Sequence, residues 1–332
     1  MRHRTIFTCT LLGVFLSLSS ARAGDLPKES LLQRKGWVQF EIILGRITAL
    51  NPRHHEKTAS SGGTKPTEPH ELTSMRFENG KVSLNYELLS EVRRVVIHLS
   101  DNNEFKIEQI PADDSGLPTV LFTQQSDGNV ELTVTQGESQ AQLSRPNLWQ
   151  LLMSHPDMCK KHLLPLIGLV RSNWHLDERA ERIKDAMFRV AVSNNRPPVA
   201  ELNLLVEELA DESFRKRSAA DTKLRSYGQA VLSFLDKLDM KKLEREQRRR
   251  VRSIRQDLIC DRGDTPERVA MWLIDSGSAW LNLVNHDSFE KRQLATQHLG
   301  RIIETPIEFD PAADATKRAR QLSELRKLLV QN

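Results

Sequence analysis

Two rhythms of apolar residues divide the chain. Up to about residue 145, apolar side chains recur at every second position in short runs bounded by Gly, Pro, Asn and Asp: Trp37 to Leu44, Val82 to Leu88, Val92 to Leu99, Phe105 to Ile110, Thr119 to Thr123 and Val130 to Val134. A period of two puts alternate side chains on one face, as a half-buried strand requires. Glu78-Asn79-Gly80-Lys81 and Ser126-Asp127-Gly128-Asn129 lie between such runs, and Asn-Gly and Asp-Gly accept the positive φ angles of tight hairpins. A small antiparallel β domain is therefore predicted over 24–145. Between Asn51 and His70 there is no periodicity, and the Ser-, Gly- and Pro-rich composition predicts a surface loop over 51–70, flanked by His54, His55 and His70, which could hold a metal loosely, although such histidines are more often merely solvated.

From Leu148 the period lengthens to that of a helix. Leu148, Leu151 and Leu152 open a short helix, and Pro156 starts a second that carries Met158, Cys159, Leu163, Leu166 and Ile167. Ala180, Ile183, Ala186, Met187, Val190 and Ala191 make a third, which ends before Pro197-Pro198. This helical connector, 146–198, leads into pairs of helices: 199–210 with 212–226, 228–238 with 241–260, 265–284 with 287–303, and a terminal helix from Pro311. Thr265-Pro266 and Asp310-Pro311 each offer a cap residue and a first-turn proline, and Asp287 with Glu290 has capping-box spacing.

Two of these helices share a sequence frame. Residues 213–224 and 288–299 share the frame S-F-x-K-R-x-x-A-x-x-x-L, 75 residues apart. Phe214, Ala220 and Leu224 are expected to be buried in the same way as Phe289, Ala295 and Leu299, because repeated units bury their apolar faces by stacking. Arg217 is expected to bond Asp211; the position equivalent to Asp211 before Arg292 is His286, which predicts that the bond is not simply duplicated. With the Gly228-Gln229-Ala230-Val231-Leu232 helix and its Arg-rich partner, the frame resembles the HEAT-like repeats of the bacterial lyase-related type over about 199–303. The Lys241–Ile259 helix and the Pro306–Pro311 bend depart from that pattern. The resemblance implies an α-solenoid over 199–332 that serves recognition rather than lyase chemistry. The expected fold class is thus α+β, a small antiparallel β domain followed by an all-α HEAT-like solenoid.

Charge changes meaning once the first residues are considered. Arg2 and Arg4 precede an apolar run from Ile6 to Leu18 and a small-residue site at Ala21-Arg22-Ala23, the pattern of a signal peptide over 1–23. Its removal takes three arginines and no acid, so the net charge falls from +4 to +1. The mature chain is expected to be exported to the periplasm, cell envelope or outside, without a membrane span. A near-neutral chain argues against a nucleic-acid partner. Cys159 and Cys260 remain, and spacing alone does not say whether they pair.

Motifs for chemistry are sparse. His155, Cys159 and His162 have spacing that one helix face would bring together as metal ligands, but Pro156 moves the helix start past His155, Cys159 falls in a core stripe and no fourth ligand is evident. No metal, cofactor or catalytic residue is therefore assigned. The helix from Lys241 carries eight cations, including Lys241, Arg245, Arg248, Arg249 and Arg252, against Glu244 and Glu246. These five are the candidate partner-binding residues, although a charge run is also what a solvated helix face looks like. The expected function is an exported, non-catalytic binding or scaffolding protein that contacts other proteins. The alternatives are an accessory subunit or divergent enzyme with a site between the two domains, and a polyanion-binding protein.

Overall fold

The computed structural model describes residues 26–62, 69–100, 102–193, 197–259 and 263–331. The predicted signal peptide, the middle of the 51–70 loop and Cys260 lie outside these. The chain opens with α1 (Leu31–Lys35) and a hairpin of β1 (Gln39–Ile43) and β2 (Arg46–Leu50). An eight-stranded antiparallel meander follows: β3 (Glu56–Ser61), β4 (His70–Glu78), β5 (Lys81–Leu89), β6 (Arg93–Leu99), β7 (Phe105–Pro111), β8 (Thr119–Gln124), β9 (Val130–Gln136) and β10 (Ser139–Arg145), each paired with its neighbour in sequence.

Alternation sets the inner face of this sheet. Val82, Leu84, Tyr86 and Leu88 of β5 point inward beside Val95, Ile97 and Leu99 of β6, and Phe105, Ile107, Val120, Phe122, Val130 and Leu132 continue the layer. The Asn79-Gly80 turn takes positive φ at both residues, as its sequence predicts, whereas in the next predicted turn only Gly128 does. The β1–β2 hairpin is bound to the meander by Gln124, whose side chain accepts from Ile47 N at 2.8 Å and donates to Ile47 O at 3.1 Å.

Part of the predicted 51–70 loop is strand. Glu56–Ser61 pairs with Glu71–Arg76 of β4. An edge strand with a solvated face needs backbone partners more than apolar alternation, so periodicity does not reveal it. β4 is also missed, because its inward residues include Glu71 and Thr73 while Leu72 is 47% exposed. Glu71 clamps α1 to the sheet: its carboxylate accepts from Leu31 N at 2.5 Å, Tyr86 Oη at 2.7 Å and Arg34 at 2.7 Å. Burial, and then the bond to Glu71, push the Tyr86 hydroxyl up from its ordinary pKa.

The helical part comprises α2 (Leu148–Ser154), α3 (Pro156–Met158), a π turn over Cys159–Leu163, α4 (Leu164–Ile167), α5 (Leu176–Val192), α6 (Val199–Glu208), α7 (Phe214–Ser226), α8 (Leu232–Lys237), α9 (Arg245–Ile259), α10 (Pro266–Leu273), α11 (Gly277–Leu281), α12 (Phe289–Ile303) and α13 (Ala315–Gln331). The second predicted helix is thus broken by a π turn. Pro165 cannot donate to the carbonyl four residues before it, and Leu164 N reaches back five residues to Cys159 O. The predicted 265–284 helix is two, parted before the Ser276 cap. Thr265 and Pro266 open α10 as expected, but Ser288 rather than Asp287 caps α12. The terminal helix starts at Ala315 rather than Pro311, with Asp314 accepting from Lys317 N at 2.9 Å.

Buried residues fall into two clusters whose boundary is not at residue 145. One runs from the sheet through α2 and α5 to α10–α13, and the other joins Leu202, Leu205, Val206, Leu209, Ala220, Leu224, Val231, Leu235, Val251 and Ile254. Helices α6–α9 therefore form a module with its own core, inserted between α5 and α10, which pack along each other. In a solenoid each repeat touches its sequence neighbours, so the α5–α10 contact departs from the expected stacking order.

The repeated helices correct a second expectation. Ala220, Leu224, Ala295 and Leu299 are buried, but Phe214 is 68% exposed and Phe289 43% exposed. Each phenylalanine lies beside the arginine of its own frame, with the Arg217 and Arg292 guanidiniums 5.8 and 5.9 Å from the ring centroids. Arg217 donates to the carbonyls of Asp211 and Glu212 at 2.7 and 2.9 Å, and Arg292 to those of His286 and Asp287 at 2.9 and 2.7 Å. The bond expected not to recur is duplicated, because its acceptor is backbone and indifferent to the change from Asp to His. A third copy follows in α13, where Arg318 donates to Ala313 O at 2.6 Å in the reduced frame Lys317-Arg318 with Leu325 buried.

Candidate functional site

Helix α9 has one apolar and one basic face. Val251 and Ile254 are fully buried in the module core, and the side chain of Gln247 donates to Val206 O at 2.8 Å while accepting from Glu244 N at 2.8 Å. At about 100° per residue, Arg245, Arg248, Arg249 and Arg252 fall within one arc of about 100° on the opposite side. Arg245, Arg249 and Arg252 are exposed and Arg248 is half-buried. From Arg245 to Arg252 the arc extends along about 10 Å of helix axis.

Not every cation of the run is available. Arg250 pairs with Glu246 at 2.7 Å and with Asp221 at 3.5 Å, and Arg255 pairs with Asp236. Both stand on the flanks of the buried face, where a carboxylate partner offsets partial desolvation. Lys242 lies 3.9 Å from Asp239, and Arg249 lies 3.9 Å from Glu246, a distance without a hydrogen bond. Among the described residues Lys241, Arg245, Arg248 and Arg252 make no ion pair. The sequence marks the whole run from Lys241 as one basic helix; the helix starts only at Arg245, so Lys241 falls in the preceding turn, while the fold neutralises the flanks and leaves Arg245, Arg248, Arg249 and Arg252 on one side of α9.

The His155, Cys159 and His162 set is not assembled. His155 caps two helices with φ −138° and ψ 57°, and its Nε2 accepts from Arg145 at 2.8 Å. Burial, Arg145 and Arg326 lower its pKa, and burial with Lys161 lowers that of His162. Cys159 is a free thiol, wholly buried, with Sγ 3.8 Å from Leu151 O and its pKa pushed up by burial to about 12. Among the described residues no group of three or more His, Cys, Asp or Glu is arranged to hold a metal.

A buried polar cluster that no motif announces lies where the chain leaves the inserted module. Asp264 accepts from Leu44 N at 2.8 Å, Gly45 N at 2.7 Å and Trp149 Nε1 at 2.6 Å. Leu44 and Gly45 both have positive φ, so their two N–H groups converge on the carboxylate. A Cβ on Gly45 would come within 2.8 Å of the Asn147 Cβ. Arg179 donates to the Asp264 carbonyl and lies 4.9 Å from the Trp149 ring centroid. Burial pushes the Asp264 carboxyl up from its ordinary pKa, against Trp149, Gly45, Leu44 and Arg179, which favour the charge. The bonds of Asp264 to Leu44, Gly45 and Trp149 hold the hairpin to the helices, which makes the cluster a structural joint. Buried residues of the sheet, α2 and α5 belong to one core.

The fold and this surface define a chain of mixed class, an antiparallel sheet followed by helices, with a basic face on α9. No family model matches the chain, and no curated protein or solved structure shows significant similarity to it. Among the described residues no helix is long and apolar enough to cross a membrane.

Proposed function

We propose that the chain is an exported, non-catalytic binding protein that engages an acidic protein partner through the outer face of α9. The observation that carries this reading is the grouping of Arg245, Arg248, Arg249 and Arg252 on one side of a helix whose other side anchors a separate hydrophobic core. Arginines suit such a role, because the planar guanidinium meets carboxylates with two parallel donors and is less strongly hydrated than an ammonium; among the described residues Arg245, Arg248 and Arg252 make no ion pair, and Arg249 only a long contact with Glu246. The HEAT-like frame of α7 and α12 supports recognition as the use of the helical array, and the sequence of residues 1–23 supports export.

A fluorescein-labelled, glutamate-rich peptide is the direct probe. Its anisotropy should rise with protein concentration, with an affinity that falls as salt screens the charges. Arg245→Glu, Arg249→Glu and Arg252→Glu together should abolish binding without changing the far-UV circular dichroism. Binding that survives the triple substitution with unchanged salt dependence refutes the reading. Clear preference for heparin over the peptide would replace it with the polyanion alternative.

A further inference from the structure

The inserted module does not close fully onto the rest of the molecule. A cleft of about 560 Å³ lies between α6 and α8 on the module side and α5, α10 and the end of α12 on the other. That size falls within the range of about 300–1,000 Å³ typical of small-ligand sites. Leu202 and Phe234 from the module face Met271, Ile274 and Ile302 across it. Among the described residues, Ser233 Oγ donating to Asp275 Oδ2 at 3.0 Å is one tie between the walls.

Polar groups of both signs surround the apolar lining. Lys237 and Arg301 provide donors, and Asp275 and Glu304 provide acceptors. Val199, which also lines the cleft, is 64% exposed. A hydrocarbon ligand would desolvate these polar groups without satisfying them, and a fatty-acid carboxylate would meet two acids as well as two cations. A peptide carries one donor and one acceptor in nearly every residue and apolar side chains between them. We infer that this cleft is a binding site, separate from the α9 face, for a short apolar peptide segment. Its peptide groups are met by Lys237, Arg301 and Glu304, while its side chains cover Phe234, Met271 and Ile302.

The test uses the full chain and a dansylated Val-Leu-Phe-Leu-Val peptide, followed by fluorescence enhancement and blue shift. Saturable binding is expected, at least tenfold tighter than for dansylated pentaglycine. Met271→Trp, which fills the cleft, should weaken it at least tenfold. Lys237→Ala with Arg301→Ala, both exposed and tolerant of change, should weaken it several-fold and decides the matter if Met271→Trp does not fold. The triple α9 charge reversal should leave it unchanged, which separates this site from the arginine face. Absence of saturable binding, equal affinity in all variants, or displacement of the dansylated peptide by palmitate but not by the unlabelled peptide would overturn the inference.

Discussion

Removing the Asp264 carboxylate should be among the most damaging single changes in this chain. Asp264→Ala leaves Leu44 N, Gly45 N and Trp149 Nε1 without their acceptor, the last two of them buried and Leu44 N partly so. A buried donor left unpaired costs about 1–3 kcal/mol, which sets an upper range of about 3–9 kcal/mol for three. Part of this is offset, because the substitution also removes a carboxyl whose burial disfavours its charge, as its raised pKa shows. A net loss of about 3–5 kcal/mol is expected, comparable to breaking other buried charged networks. Asp264→Asn keeps one acceptor oxygen and should lose less than Asp264→Ala. Urea unfolding followed by tryptophan fluorescence measures both, and hydrogen exchange at Leu44 and Gly45 localises the effect. A loss below about 1 kcal/mol for Asp264→Ala, or unchanged protection of those two amides, would refute the argument that the carboxylate joins the hairpin to the helices.

Two further outcomes test the packing. Phe214→Ala should cost under about 1 kcal/mol because the ring is largely solvated, whereas Leu224→Ala, at a fully buried position, should cost about 2–5 kcal/mol; comparable losses in denaturant titrations would contradict the observed burial. Cys159 should resist thiol reagents in the native state at pH 8, as read by mass mapping of its labelled peptide. Since folding raises its pKa to about 12, its contribution to stability is fully present below the unfolded thiol value and is lost as pH rises through the window from about 9 to about 12. Cys159→Ser should flatten that part of the stability profile, and an unaltered slope would exclude the thiol as its cause.

The comparison of repeated helices shows how a correct pattern can carry a wrong assignment. The frame shared by α7 and α12 is legible in sequence, as are its buried alanine and leucine. Its phenylalanine looks like a core residue because apolar rings usually are, yet in both helices it lies beside an arginine at the surface. In the third copy Ala315 occupies that position, consistent with a site that does not fill a core. Aligning Lys317-Arg318 and Leu325 with the two longer copies was the available signal for the repeat in α13.

What the sequence alone determined is local: the change of period near 145, most central strands, the Asn79-Gly80 turn, the Thr265-Pro266 helix start and the basic run on α9. Each follows from interactions within a few residues, since alternation, turn dihedrals and capping act over that range. The tertiary structure decided the rest. It turned Glu71 inward because α1 and Tyr86 supply donors from elsewhere in the chain, and it made a strand of Glu56–Ser61 because β4 offers backbone partners. It drew the core through sheet and helices together and set α6–α9 apart, because α10 returns to pack on α5. It also selected which arginines of α9 stay free, by placing Asp221 and Asp236 of other helices against Arg250 and Arg255. Such partners are distant in sequence, and their contact energies exist only once the chain has closed on itself.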